Sequence, residues 1–158
     1  EWREWHDNQT VAAAAPGPQR LNAELWRAAL NRRTCHEASD LIKQGADIDS
    51  HDPLDGMSVL LKAIACHDVA GVQLLLSLGA FVDSRDAIGR TALLAACYYG
   101  AVDIVEVLLD AGADILAVDS YSNSVLHSCA QEDENERNLI EALMRAAQLR
   151  KVELPWMS

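Results

Sequence analysis

The chain has 158 residues, 24 of them Asp or Glu against 13 Lys or Arg, for a formal net charge of −11. That balance excludes a nucleic-acid surface, which needs clustered Lys and Arg to neutralise phosphates, and no apolar run reaches the ~20 residues that span a bilayer. Half of the residues are hydrophobic but only 5% aromatic, so the length supports one domain with a continuous Ala- and Leu-rich core.

Residues 1–20 read as a tail and linker. Trp2 and Trp5 stand three apart, one helical turn, and Pro16 and Pro18 are expected to block helix continuation. The chain opens on Glu1 and shows no signal-peptide pattern, which reads as a piece of a longer intracellular protein. Next, Asn22 is a candidate N-cap for a helix bearing Leu25, Trp26, Ala29 and Leu30, with Arg32 and Arg33 near its end. A second helix is predicted over about 36–44, stopped by Gly45.

The second unit opens on the turn Asp52-Pro53-Leu54-Asp55-Gly56, one residue longer than the turn that follows it in the third unit. Ser58 caps a helix predicted through Cys66, and an almost wholly apolar helix follows over about 69–78. The third unit is the most regular. Asp86 and Gly89 mark the turn, Thr91 the cap, Gly100 a break, and a helix over about 102–110 ends at Gly112. In the second unit His67 stands where the third has Gly100, a costly choice if that residue is left-handed. The fourth unit drifts: Ser122 replaces the turn glycine, an acidic run spans 132–136, and Arg145-Ala146-Ala147 replaces the Gly-Ala stop. Its outer helix is therefore expected to run on through Leu149.

These landmarks keep one register. Gly45, Gly79 and Gly112 are 34 and 33 apart, and the openings at Ser58, Thr91 and Ser124 are 33 and 33 apart. A fixed period of this size belongs to a stacked array. The pattern of turn, capped inner helix, outer helix and Gly-Ala ending resembles the ankyrin repeat. The resemblance implies an all-α ankyrin-repeat solenoid over residues 21–154, in four helix-turn-helix units of about 21–49, 50–83, 84–115 and 116–150. Two internal repeats would lie between terminal caps, with 155–158 as the chain end.

The resemblance further implies that turns and inner-helix ends form a concave, partner-binding face. The residues that map onto it are Arg32 in the first unit, and Leu54, Met57 and Cys66 in the second. The third contributes Ile88, Arg90, Tyr98 and Tyr99; the fourth contributes Tyr121, Asn123, Gln131 and Glu132. Positions there need no particular side chain for the fold, so Leu, Met, Ile and three Tyr at places that should be wet suggest a strip meant to be covered. The expected partner is a protein or extended peptide, with basic character favoured by the net charge. The alternative is an intramolecular spacer or regulatory arm of a larger enzyme, channel or ubiquitin-ligase adaptor.

No cofactor or metal is expected. The four cysteines show no C-x-x-C pair, and the Cys and His residues lack structural-zinc spacing. Reduced thiols in the cytoplasm or nucleus are the simpler reading. No phosphate loop, nucleophile elbow or paired-carboxylate site is present, so an enzyme is not expected, and nothing suggests more than a monomer.

Overall fold

A computed structural model describes residues 17–30, 35–129 and 134–151. Within them the chain forms eight helices: α1 Pro18–Leu30, α2 Cys35–Lys43, α3 Val59–Ala65, α4 Val69–Ser77, α5 Ala92–Tyr98, α6 Val102–Asp110, α7 Val125–Cys129 and α8 Glu134–Arg150. No strand occurs among the described residues; only the single bridges His51–Ser58 and Arg85–Thr91 close the bases of two turns. Trp2, Trp5, Arg32, Arg33, Gln131, Glu132 and residues 155–158 lie outside the described residues.

The inner helices α3 and α5 are short because both of their ends are chemically specified. Ser58 and Thr91 have extended backbones, and their hydroxyls accept from Leu61 N and Leu94 N, capping α3 and α5. Asp68 caps α4 through Gly71 N. The stops are two-bond C-terminal motifs repeated along the chain. Gly79 N and Ala80 N donate to Leu76 O and Leu75 O, and Gly112 N and Ala113 N donate to Leu109 O and Leu108 O. Inner helices stop the same way, with Gly100 (φ 67°) after α5 and His67 (φ 53°) after α3. The histidine thus accepts the left-handed backbone that glycine takes one unit later.

Odd-numbered helices form one layer and even-numbered helices the other. Each inner helix packs on its own outer helix and on the next inner helix, while α2, α4, α6 and α8 stack along the outside. The core runs unbroken between the layers, from Leu25 through Leu60, Ile64, Leu93 and Leu94 to Leu108, Leu139 and Leu143. Contact only between neighbours is the geometry of a solenoid.

The ends depart from the sequence reading in detail. α1 starts at Pro18, whose missing N–H costs nothing at a first helical position, so the helix begins within the stretch read as tail and linker. Asn22 lies inside α1, and its Oδ1 accepts from Asp47 N at 2.8 Å, joining the helix to the loop after α2. Trp26 packs partly against the core, and its Nε1 donates to Ser50. At the other end α8 runs on to Arg150, as the lost glycine stop requires. The Arg150 guanidinium donates to Leu109 O in the last turn of α6, which also accepts from Gly112 N, and to Ala113 O just beyond it. A cation at that place also complements the helix dipole.

Two cysteines belong to this packing. Cys97 and Cys129 are buried, on neighbouring inner helices, and form no disulfide. The hydrogen bond to Cys129, reinforced by burial, pushes the Cys97 thiol well above its ordinary range.

Three outcomes test this architecture. Leu108 is fully buried in the most regular outer helix, so Leu108→Ala should cost ~2–5 kcal/mol in a urea melt; an unchanged midpoint would contradict its place in the core. His67→Gly removes the left-handed strain and should raise stability by about 0.5–1 kcal/mol after the glycine entropy cost. A lower urea midpoint would mean that the histidine side chain contributes more than its backbone costs. Finally, iodoacetamide at pH 7.5 should leave Cys97 unmodified in the folded chain while labelling half-exposed Cys66. Equal labelling of the two, read by peptide mass spectrometry, would contradict the burial of the thiol.

Candidate peptide-binding face

The turns between units are built on one aspartate each: Asp52, Asp86 and Asp119. Each backbone N–H of these residues donates across its turn, to Met57 O, Arg90 O and Asn123 O at 3.0–3.1 Å. Each Oδ1 then accepts the N–H two residues on, from Leu54, Ile88 and Tyr121 at 2.8–3.0 Å. This is the side-chain mimicry of a turn that Asp favours. In the third and fourth turns the same oxygen also takes the N–H four residues on, from Arg90 and Asn123. The longer second turn gives that task to Asp55, whose Oδ1 accepts from Met57 N.

The second carboxylate oxygen is occupied differently in each unit. Asp52 Oδ2 pairs with Lys62 Nζ at 2.9 Å, Asp86 Oδ2 with Arg90 Nε at 2.8 Å, and Asp119 Oδ2 with Asn123 Nδ2 at 3.0 Å. Lys62 also reaches Asp55 Oδ2 at 2.6 Å. Its side chain is only 1% exposed, and a buried ammonium is tolerable only with such full pairing. Asp119 sits below the usual carboxylate range. Desolvation pushes it upward, but hydrogen bonds from Asn123 and Tyr121 and the nearby Arg90 charge outweigh that.

Fingers are also tied to one another. Ser120 N donates to Ile88 O, His51 Nε2 lies 2.9 Å from Arg85 O, and Arg85 Nη1 bridges Gly89 O and Val118 O. Gly89 (φ 77°) has no room for a side chain, since a Cβ there would stand 2.6 Å from Ser120 Oγ. Each tip is thus fixed from within, and the Ile88 tip also from the finger that follows.

On this frame stands a row of apolar tips. Leu54, Ile88 and Tyr121 occupy the same position of successive fingers and are 50%, 38% and 71% exposed. Behind them Met57 packs partly against the core, while Arg90 and Asn123 hold their aspartates. At the end of α5, Tyr98 is 48% exposed. The Arg90 guanidinium lies 5.5 Å from its ring centroid, within cation–π range. Tyr99 meets Tyr98 edge-on at 5.4 Å and His67 at 6.1 Å. It also packs on the core, so it is a half-buried support more than an open anchor. Cys66 is half-buried at the end of α3.

The structure therefore brings together Leu54, Ile88, Arg90, Tyr98, Tyr99, Tyr121 and Asn123 around three fingers and one helix end. Arg32, Gln131 and Glu132 lie outside the described residues. Sequence reasoning missed His67 as a neighbour of Tyr99, although its substitution for glycine was visible. Lys62 was missed as well; a lysine inside an apolar run, seven and ten residues after two aspartates, was the available signal. Phe81 and Leu116 are exposed too, yet their counterparts in neighbouring units are aspartates, so they form no row.

Chemistry beyond binding has little to work with. Among the described residues no group of three His, Cys, Asp or Glu could hold a metal, and no helix is long and apolar enough to cross a membrane. A cleft between α1 and α2 is lined by Glu24, Arg27, Glu37 and Asp40 among others, without a nucleophile.

Comparison with known proteins agrees with this geometry. The family model described as ankyrin repeats (3 copies) matches residues 25–119 and 88–153. An ankyrin repeat protein of fowlpox virus (strain NVSL) is 28% identical over 134 residues, covering 66% of this chain and 31% of its own length. The B-cell lymphoma 3 protein homolog of Mus musculus is 40% identical over 81 residues, 51% of this chain and 18% of that protein. Ankyrin repeat domain-containing protein 63 of Homo sapiens is 42% identical over 73 residues, 44% and 19% of the two chains. The chain thus spans less than a third of the length of these relatives. With its 33- to 34-residue period, its stacked helix pairs and a family match over most of its length, the chain belongs to the ankyrin repeat family.

Proposed function

We propose that this chain is a binding module that takes a protein or extended peptide along a concave face, made of finger tips and inner-helix ends. Membership of the ankyrin family implies a non-enzymatic scaffold for proteins or peptides. The observation that carries the more specific reading is the apolar row Leu54, Ile88 and Tyr121, continued by Tyr98 on α5. Aligned exposed apolar side chains on a rigid frame are what an interface core needs. Tyr98 is its centre, backed by Tyr99 and flanked by Arg90, and Tyr and Arg dominate interface hot spots. Arg32, Met57, Cys66, Asn123, Gln131 and Glu132 complete the proposed face. Cys97 and Cys129 act as small packing residues, which suits a reducing intracellular compartment. The array works as a monomer.

The test is affinity purification with the chain, identification of what is retained, and titration of that partner. Tyr98→Ala should leave the fold intact, because an exposed change is usually within about 0.5 kcal/mol. It should weaken binding by at least ~2 kcal/mol, about thirtyfold. Glu106→Ala, on the exposed side of outer helix α6, should bind as the parent does. Equal affinity of parent and Tyr98→Ala would remove the concave face from the reading. Tyr99→Ala is the poorer probe, since its ring also supports the core.

A further inference from the structure

The three finger tips set a ruler for whatever lies across them. Leu54, Ile88 and Tyr121 recur at one position of three stacked units, 34 and 33 residues apart in sequence, and each tip amide is held by its own aspartate. Neighbouring inner helices in contact are about 8–10 Å apart, so the tips repeat at about that interval. A segment lying along the row must present one apolar group per interval, always on the same side.

Few backbones do this. A β-strand returns a side chain to the same face every second residue, about 7 Å, and its third residue points the other way. An α-helix advances about 10 Å only after seven residues and is itself about as wide as the tip interval. A polyproline II segment has three residues per turn and a 3.1 Å rise, so every third residue faces the same side about 9 Å further on. That period matches the tips. Aromatic side chains are the usual platform for such segments, and Tyr98 and Tyr121 are exposed at 48% and 71%.

The charges of the fingers add an order along the row. The second finger holds Asp52, Asp55 and Lys62, which sum to −1; the third holds Asp86 with Arg85 and Arg90, which sum to +1; the fourth holds Asp119 with neutral Asn123, leaving −1. A ligand therefore meets negative, positive and negative ground in turn, on a chain of formal charge −11. Basic residues fit opposite the outer fingers and are disfavoured opposite Arg90.

Building on the concave-face reading, we infer that the array binds a left-handed extended, proline-rich segment with apolar residues at every third position and Lys or Arg toward its two ends. Leu54, Ile88 and Tyr121 each receive one of the apolar residues, and Tyr98 stacks against the middle of the segment.

A phage-displayed library of random twelve-residue peptides, panned on the intact chain, tests this directly. Enriched peptides should carry apolar residues at positions i, i+3 and i+6, with proline among them and basic residues outside that core. A synthetic peptide of that consensus should lose at least tenfold in affinity against Ile88→Ser and against Tyr121→Ser. Both changes lie at exposed tips, and circular dichroism of each variant confirms that its fold is kept. Enriched peptides with apolar residues at helical spacing, whose binding falls with Tyr98→Ala, would overturn the extended-segment inference and leave the concave face standing. Peptides whose binding resists Ile88→Ser, Tyr121→Ser and Tyr98→Ala alike would overturn both. A library that yields no enriched peptide would also overturn the inference, leaving only a folded partner for that face.

Discussion

A carboxylate that imitates a backbone carbonyl is the constraint on which this molecule depends. In each finger the aspartate Oδ1 holds the amide of the tip residue, and the aspartate's own N–H closes the turn. Without those bonds the turn amides would have to find water, and the tips would have no fixed place. The consequence extends past the turn. Residues leaving the finger enter the capped helices at Ser58 and Thr91, so finger geometry sets where each inner helix begins, and thereby how it meets the next.

The same frame explains why one charged side chain can sit in the core. Lys62 occupies a place that Ala95 fills in the next unit, and both are buried. An ammonium there would be strongly unfavourable alone, and removing one member of such a buried pair typically costs ~3–5 kcal/mol. Here the extra turn residue brings Asp55 to share the charge with Asp52. The insertion and the buried lysine are thus one feature. The insertion lengthens the turn, and the lysine holds the lengthened turn to the helix beneath it.

Much of the fold was legible because its landmarks are local. Glycine at a left-handed position, Ser or Thr at a helix start, and an apolar run of fixed length each leave a mark on a few adjacent residues, and the period multiplies that mark. What was not legible depends on atoms brought together from far apart. Arg150 reaches carbonyls 37 and 41 residues earlier, and His51 meets a carbonyl 34 residues later. No adjacent residue announces either. Pro18 can both stop a helix running in from before it and begin one, and the sequence reading used only the first property. At the site, the tips followed from the register, but the division of the two tyrosines did not. Tyr98 faces outward and Tyr99 leans on the core, a difference of one residue's rotation about a short helix.

The two oxygens of each finger aspartate carry separate duties. One oxygen keeps the tip amide in every unit, whereas the other is met by an amine, a guanidinium or an amide according to the unit. In the third and fourth fingers, where the partner lies at the surface end of the turn and not in the core, a lineage of such repeats can therefore alter the charge by exchanging a single side chain while the backbone beneath stays as it was. Recognition and architecture become separately variable within one carboxylate, and new specificities lie a substitution apart on an unaltered scaffold.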